Sequence, residues 1–176
     1  IETQVVSPKL KQFLDAALEQ TTYTHSYNPA YVAIAYPGGD VPRETGVCTD
    51  VAIRAFRKIG IDLQKEVHED MNRHFSVYPQ YWGLSGTDPN IDHRRVPNLM
   101  KHFERKGKAI SISQRKEDYL PGDVVTWNLG EGLEHIGIVT QFKSAQTGQF
   151  MIVHNIGAGT RLEDILFNWP IIGHYR

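Results

Sequence analysis

The spacing of apolar residues changes once along the chain, near residue 108, and this change constrains the fold more than any other feature. Before it, apolar side chains recur every three or four residues, as on one face of an α-helix. After it, apolar and polar residues alternate, as in strands with one buried face. Helices followed by strands predict an α+β fold with helices packed on an antiparallel sheet. Because 176 residues suffice for one apolar core, we predict a single domain over residues 1–176.

The same spacing locates the individual elements. Helices are predicted from Ser7, from Cys48, from the capping residue Asp62 and over about residues 96–105. Residues 76–95 are rich in glycine, proline and aromatic side chains, and we predict an ordered loop there. Strands are predicted for YVAIAY, KAISIS, DVVTWNL, HIGIVTQF, FMIVHNIG and IIGHYR, and a short helix for LEDILFNW.

The charge balance and the hydropathy argue against two classes of partner. Lys and Arg number 19 and Asp and Glu number 20, which gives a net charge of -1. Proteins that bind nucleic acid normally carry a basic surplus, so no nucleic acid is expected. No apolar run approaches the roughly 20 residues that cross a bilayer, so no membrane span is predicted. The chain begins with Ile1 rather than methionine, as expected of a product that has lost a signal peptide.

Cys48 is the only cysteine in the chain, which excludes an internal disulfide. It stands where the second helix is predicted to begin. Free backbone N–H groups and the helix dipole at that position are expected to stabilise a thiolate and to lower the thiol pKa. The alternative is a small buried apolar residue, because free cysteine is among the most buried residue types.

Two histidines occur within predicted strands downstream of this cysteine. His135 begins HIGIVTQF, and His154 lies within FMIVHNIG. A single histidine in a strand is more often structural than catalytic. A cysteine with a histidine is nevertheless the minimum set for thiol catalysis, in which the imidazole takes the thiol proton and a third polar group orients the ring. The order Cys48, His135, His154 is consistent with such a site.

The segment NIDHRRVPN places Asp92, His93 and Arg94 directly before a predicted helix. Arginine binds a carboxylate through two parallel hydrogen bonds, so these residues are candidates for substrate binding. The alternative is an ion-paired helix cap, in which Arg94 or the arginine after it binds Asp70 or Glu69.

Tyr36, before a Gly-Gly-Asp turn, is a candidate for the wall of a cleft, although aromatic residues more often fill the core. His68 and Asp70 are two residues apart on a predicted helix and do not share a face. The sequence contains neither an HExxH nor a CxxC motif, so no metal site and no cofactor are predicted.

Several motifs resemble those of the NlpC/P60-type cell-wall peptidases, which have a papain-like fold. GVCTDVAIRAFRKIGIDL is similar to the helix that begins with their catalytic cysteine, and LPGDVVTW to their Pro-Gly-Asp-leading strand. HIGIVT is similar to the strand that begins with their catalytic histidine, and FMIVHN to the strand with their third polar residue. The motifs occur in the same order, over about residues 45–155.

Almost the whole chain also resembles the bacterial family DUF1287, whose members generally look exported. The motifs that carry this resemblance are YPGGDVP, GVCTDV, VHEDM, NIDHRRVPNL, PGDVVTW, HIGIV, VHNIGAG and GHYR. The resemblance implies a periplasmic or secreted protein, with its signal peptide removed. It does not imply a particular reaction.

The NlpC/P60 resemblance implies roles for individual residues. Cys48 matches the nucleophile, and His135 matches the general base. His154 matches the third member, with adjacent Asn155 as the alternative if the strand register differs by one residue. The peptidases commonly have an aspartate before the cysteine, whereas this chain has Asp50 after it, in a region that lines their substrate cleft.

These roles imply a cysteine peptidase or amidase that cleaves an amide bond in the stem peptides of peptidoglycan. Two other functions are compatible with the same residues. A non-catalytic peptidoglycan-binding module would keep the cleft without the activity. A thiol acyltransferase, or a hydrolase of a non-peptide ester or amide, would use the same thiol chemistry. A toxin and a housekeeping enzyme would share this pattern, and the sequence names no regulatory or inhibitor protein.

Overall fold

The computed structural model describes residues 6–176. In this part of the chain, α-helices precede a five-stranded antiparallel sheet, which confirms the predicted α+β class. The α-helices are α1 (Pro8–Glu19), α2 (Cys48–Lys58), α3 (Leu63–His74) and α4 (Val96–Arg105). The strands are β1 (Ser26–Tyr27), β2 (Thr45–Gly46), β3 (Val124–Gly130), β4 (Leu133–Lys143), β5 (Phe150–Asn155), β6 (Thr160–Glu163) and β7 (Ile171–Tyr175).

The helices begin and end at the residues that the sequence indicates. The Ser7 hydroxyl accepts the Leu10 backbone N–H at 3.2 Å and caps α1, and the Asp62 carboxylate accepts the Gln64 N–H at 3.1 Å and caps α3. After α2 the chain turns at Gly60, whose φ of 84° lies in the left-handed region that favours glycine. Among residues 6–176, no helix has the length and apolar character needed to cross a bilayer.

The five-stranded sheet has the order β6-β5-β4-β3-β7, and all neighbouring pairs are antiparallel. Side chains alternate between its two faces, and each face is covered by an apolar cluster. On one face, Ile136, Ile138 and Val153 pack against helix residues. The other face is covered by the segment after β6, where Trp127 donates its indole N–H to the Leu166 carbonyl at 2.8 Å. Both faces of β4 are therefore buried over most of its length.

Two predicted strands are wrong. The segment YVAIAY is irregular, because side chains bind its backbone in place of a neighbouring strand: Asn90 accepts the Ile34 N–H, and Gln64 donates to the Ala35 carbonyl. The segment KAISIS forms a single bridge to β7, between Ala109 and Tyr175. Alternating apolar residues thus indicate a possible strand but do not supply the partner strand.

The short helix predicted for LEDILFNW is also wrong. Its first residues complete β6, where Leu162 pairs with Val153 and Glu163 with Ile152 of β5. Its later residues form turns in which Ile165 and Leu166 are buried against the sheet. Pairing with an available strand edge replaces the helical hydrogen bonds that the spacing of apolar residues suggested.

Leu99 tests the core under the helices, because its side chain is completely buried within the cluster that also contains Cys48. We expect Leu99→Ala to lower the free energy of unfolding by about 2–5 kcal/mol, since it removes buried methyl groups and leaves a cavity. Urea unfolding curves measure the change. Leu133→Ala is the control, because Leu133 is 60% exposed. Equal stability of the two variants would contradict this arrangement of the core.

Candidate active site

Cys48 is the first residue of α2, as predicted, and its side chain is buried. The residue before it, Val47, has an extended backbone and donates its N–H to the Asp50 carboxylate at 2.7 Å. This hydrogen bond satisfies one of the free N–H groups at the start of the helix. Cys48 belongs to the same apolar cluster as Ile136 and Val124, so the start of α2 lies against the sheet.

Asp50 holds the start of α2 to the segment 92–94. Arg94 donates to both carboxylate oxygens of Asp50, from Nε at 3.1 Å and from Nη2 at 2.8 Å. The Thr49 hydroxyl also donates to the Arg94 carbonyl, at 2.9 Å. A Cβ at Gly46 would lie 3.1 Å from Asp50 Oδ2, so a larger residue there would have to displace this side chain slightly. The Asp50 carboxylate, predicted to face substrate, is therefore engaged within the protein.

The ion pair of Arg94 differs from the one that the sequence suggested. Its partner is Asp50, and both side chains are almost fully buried. Asp70, the partner considered from the sequence, instead accepts hydrogen bonds from Arg105 and from the Tyr78 hydroxyl. Arg94 therefore has a structural partner, although its side chain also lines the cleft beside Cys48.

The thiol of Cys48 is neutral at ordinary pH, contrary to the expectation from its place at the helix start. Burial raises the pKa of this thiol to about 12. The backbone N–H groups of Ile136, Thr49 and Cys48 itself oppose this shift, because they lie near the sulfur and favour its anionic form. The helix terminus thus acts in the predicted direction, but the loss of water around the sulfur is the larger effect.

His135, His154 and Glu163 form a chain of hydrogen bonds across three neighbouring strands. His135 Nε2 lies 2.8 Å from His154 Nδ1, and His154 Nε2 lies 2.9 Å from Glu163 Oε1. Both histidines are buried, whereas the Glu163 side chain is 42% exposed. Burial lowers the pKa of His135 to about 3 and also lowers the pKa of His154. Both rings are therefore neutral near pH 7.

The partners in this chain determine which ring nitrogens carry protons. A carboxylate oxygen of Glu163 accepts this hydrogen bond, so His154 donates from Nε2, and its Nδ1 is then an acceptor. His135 must accordingly donate from Nε2. The remaining nitrogen, His135 Nδ1, is left with a lone pair and with no hydrogen-bond partner among residues 6–176. A neutral imidazole with a free lone pair can act as a general base.

His135 and Cys48 approach the same point of β4 from different sides. The Ile136 backbone N–H points to the sulfur, and the Ile136 side chain packs in the cluster with Cys48. His135 on β4 pairs with Trp127 on β3, and the two rings lie 5.6 Å apart. Both rings lie on the face of the sheet that the segment after β6 covers. In the described residues the sulfur is not hydrogen-bonded to the His135 ring. The structure thus joins the two histidines by a hydrogen bond, whereas the Cys48 sulfur contacts the backbone N–H of Ile136, the residue after His135.

Asn155, the alternative third residue, has a different set of partners. Its side-chain oxygen accepts the backbone N–H groups of Gly157 and Gly159, each at 3.2 Å. Its amide nitrogen donates to the Ser26 carbonyl at 3.2 Å. Asn155 therefore shapes the turn after β5, and of the two candidates His154 is the one in contact with His135.

A cleft of about 540 Å³ opens beside Cys48. Its polar and aromatic lining comes from three parts of the chain: the segment before α2, the loop before α4 and the turn between β3 and β4. The lining residues are Tyr27, Pro29, Val47, Cys48, Tyr81, Trp82, Ile91, Arg94, Arg95, Val96, Pro97, Gly132 and Glu134.

Four of the residues predicted to bind substrate do not line this cleft: Asp50, described above, and Asp92, His93 and Tyr36. The Asp92 carboxylate is buried and accepts the Asp88 backbone N–H at 2.5 Å. The His93 ring is also buried, and burial lowers its pKa to about 4. Tyr36 is exposed and its ring packs near that of His68 on α3, at 4.9 Å. Asp92 and His93 are thus turned into the protein, and Tyr36 lies beside another helix.

Comparison with known proteins places the chain in a family. The profile of DUF1287, a domain of unknown function, matches residues 14–176. The chain belongs to the DUF1287 family. It is 54% identical over 162 residues to "Uncharacterized protein YijF" of Escherichia coli K12, which covers 92% of this chain and 78% of that protein.

Two solved structures resemble this DUF1287 chain at 15% identity or less. The crystal structure of a protein similar to a lipoprotein of the NLP/P60 family, from Staphylococcus aureus, aligns with a TM-score of 0.47 and 15% identity. That alignment covers 99% of this chain and 43% of the staphylococcal protein, so this chain spans less than half of its length. An N-acetylmuramoyl-L-alanine amidase from Bacteroides uniformis aligns with a TM-score of 0.49 and 11% identity, over 95% of this chain and 98% of the amidase.

Sequence reasoning missed two acidic residues of the site. Glu163 lies in a segment predicted to be helical, and that wrong prediction concealed its hydrogen bond to His154 on the neighbouring strand. Glu134 directly precedes His135, and the alternation of strand side chains would have placed it on the other side of β4. Within residues 6–176, no three or more His, Cys, Asp or Glu side chains are grouped so as to hold a metal ion.

The neutral thiol of the DUF1287 domain gives a testable pH dependence. Because burial raises the Cys48 pKa to about 12, we expect alkylation by iodoacetamide to be slow near pH 7 and to rise without a plateau up to about pH 10. Mass spectrometry of the intact protein follows the reaction. The same protein unfolded in guanidinium chloride is the control, with an ordinary thiol pKa of about 8.5. A plateau below about pH 8 in the folded protein would show a thiolate and contradict this interpretation.

Proposed function

We propose that this DUF1287 domain is an extracytoplasmic cysteine hydrolase that cleaves an amide bond in the stem peptides of peptidoglycan. In this proposal Cys48 is the nucleophile, His135 is the general base and His154 orients His135. The observation that carries it is the free lone pair on His135 Nδ1. The next residue, Ile136, directs its backbone N–H to the Cys48 sulfur. A periplasmic or secreted location is part of the same proposal.

The proposed reaction has two balanced halves. His135 Nδ1 takes the thiol proton while the sulfur attacks the carbonyl carbon of the amide, and the same proton then passes to the leaving nitrogen as the carbon–nitrogen bond breaks. The products of this half are a free amine and a thioester on Cys48. Water then attacks the thioester, loses its proton to His135, and releases a carboxylic acid with the thiol restored.

The surroundings of Cys48 support this sequence of steps. The N–H groups of Cys48 and Ile136 near the sulfur would also lie near an oxygen anion formed on the attacked carbonyl. Thiol and imidazole are both neutral at rest, so the proton moves only when the reaction begins. Catalytic hydrogen bonds often tighten only when substrate is bound. Because the His135 ring and Cys48 lie on different sides of β4 in this structure, the proposal requires His135 Nδ1 to move toward the sulfur at that stage.

His154 and Glu163 act on His135 rather than on the substrate. His154 accepts the Nε2 proton of His135, which keeps the lone pair on Nδ1. Glu163 fixes the tautomer of His154 in the same way. The rings of Trp127 and Trp169 lie 5.6 and 6.2 Å from the His135 ring and form an apolar wall beside it. The base is thereby held in one tautomer in an apolar environment.

A non-catalytic peptidoglycan-binding module is the second candidate. The observation that favours it is the burial of the thiol, which raises the Cys48 pKa to about 12 and disfavours the reactive anion. In that case the cleft beside Cys48 would bind wall fragments without changing them. The two candidates differ in one measurable property, the appearance of new products.

The first test incubates purified peptidoglycan fragments with the wild-type protein and with Cys48→Ala and His135→Ala variants. We expect a new cleavage product with the wild type only, because either substitution removes a group that forms or breaks bonds. Mass spectrometry of the fragments identifies the bond, and unfolding curves check that the variants fold. Residual cleavage by folded Cys48→Ala protein would overturn the proposal. Binding without cleavage by the wild type would favour the binding module.

The second test concerns Glu163, which was not recognised from the sequence. We expect Glu163→Ala to lower kcat roughly 10- to 100-fold with little change in KM, because it frees the tautomer of His154 without touching substrate. Glu117→Ala is the matched control, since Glu117 is exposed and lies in another segment. Unchanged kcat in Glu163→Ala would show that the hydrogen-bond chain ends at His154.

A further inference from the structure

Two charged side chains in the Cys48 cleft have polar atoms that the protein leaves without partners. Arg95 Nη1 and Glu134 Oε2 are both buried and form no hydrogen bond. Both residues line the cleft, from opposite parts of the chain. A buried polar atom without a partner is unfavourable, and natural proteins keep few of them. A ligand in the cleft can supply the missing partners.

Arg95 is prepared to bind an anion. Its guanidinium carbon lies 4.2 Å from the centre of the Trp82 ring, within the range of a cation–π contact. Its neighbour Arg94 is neutralised by Asp50, whereas Arg95 forms no ion pair with any residue of 6–176. A guanidinium without an ion-pair partner can bind the two oxygens of a carboxylate.

Glu134 is prepared to bind a cation. It lies on β4 between Leu133 and His135, and its cross-strand neighbour is the uncharged Asn128. Burial raises the pKa of its carboxyl group, and no basic residue in the described part of the chain pairs with it. An ammonium group would satisfy the buried oxygen and favour the ionised form.

We propose that the cleft binds a dipolar part of the substrate, with a carboxylate on Arg95 and an ammonium group on Glu134. The binding of such a group does not depend on the proposed function. Its position beside a bond that is cut does rest on that function. The chemical class is a peptide that carries a free carboxylate and a free ammonium group. Arg95 and Glu134 would then select the substrate, while Cys48 and His135 act on it.

The test measures binding by calorimetry in the Cys48→Ala protein, which removes the proposed nucleophile. The first probe is the tripeptide L-Ala-γ-D-Glu-meso-diaminopimelic acid, whose third side chain ends in an amine and a carboxylate. The second probe has L-Lys in that place and keeps the amine without the carboxylate. The third is the first probe with the side-chain amine acetylated. We expect the first probe to bind about tenfold more tightly than either of the others.

Two variants assign the effect to residues. Arg95→Gln should bind the first and second probes equally, because it loses the partner of the carboxylate. Glu134→Gln should bind the first and third probes equally, because it loses the partner of the amine. Arg115→Gln and Glu117→Gln are the matched controls, since both residues are exposed and neither lines the cleft. Each comparison is a ratio within one protein, so partial unfolding of a variant does not change it.

The outcomes separate this inference from the proposed function. Equal binding of all three probes, absence of binding, or an unchanged preference in Arg95→Gln and Glu134→Gln would overturn the inference. Selective binding with the expected losses would support it, even if wild-type protein cleaves none of the probes, a result that would count against the hydrolase. Cleavage by wild type without any preference among the probes would support the hydrolase and overturn the dipolar site.

Discussion

The buried ion pair between Asp50 and Arg94 is the contact on which the arrangement of the cleft depends. Both side chains are almost fully buried, and the two hydrogen bonds between them join the start of α2 to the segment before α4. Removal of one partner from such a pair leaves an uncompensated buried charge and is strongly destabilising. The pair therefore fixes where Cys48 lies relative to the aromatic and charged residues that α4 and its preceding loop contribute.

Burial raises the pKa of the Cys48 thiol and the N–H groups at the helix terminus lower it, and the balance decides whether the thiol is ionised. Free N–H groups at a helix start stabilise a thiolate, but their effect is limited to the first turn. Removal of water from a largely buried sulfur is a larger effect and leaves the thiol neutral. His135 is neutral for the same reason. Neither group is charged before the reaction begins. The same lack of water that raises the thiol pKa also strengthens electrostatic interactions with the charges that form during the reaction.

The sequence was most informative where the local pattern determines the structure. The helix starts at Pro8, Cys48 and Leu63 follow from capping residues and apolar spacing, and the long strands follow from alternation. The contact of His135 with His154 was suggested by their places in predicted strands and by the resemblance, and neither gave its geometry. The position of Glu163 depends on which strand edge is free, a property of the whole sheet that no local pattern contains. For the same reason the alternating segment at 31–36 was predicted to be a strand and is not one.

Two adjacent arginines show why residue type alone does not define a binding site. Arg94 and Arg95 have the same charge and lie beside the same cleft. Arg94 turns toward α2, where Asp50 takes up its hydrogen bonds, whereas Arg95 stacks on Trp82 and keeps a free N–H group. Arg94 therefore has a structural role at the edge of the cleft, whereas the next residue, Arg95, can bind a ligand in it. This difference comes from the partners that the fold provides. Because Asp50 neutralises Arg94, the cleft has one basic side chain, Arg95, and one acidic side chain, Glu134, without ion-pair partners among residues 6–176.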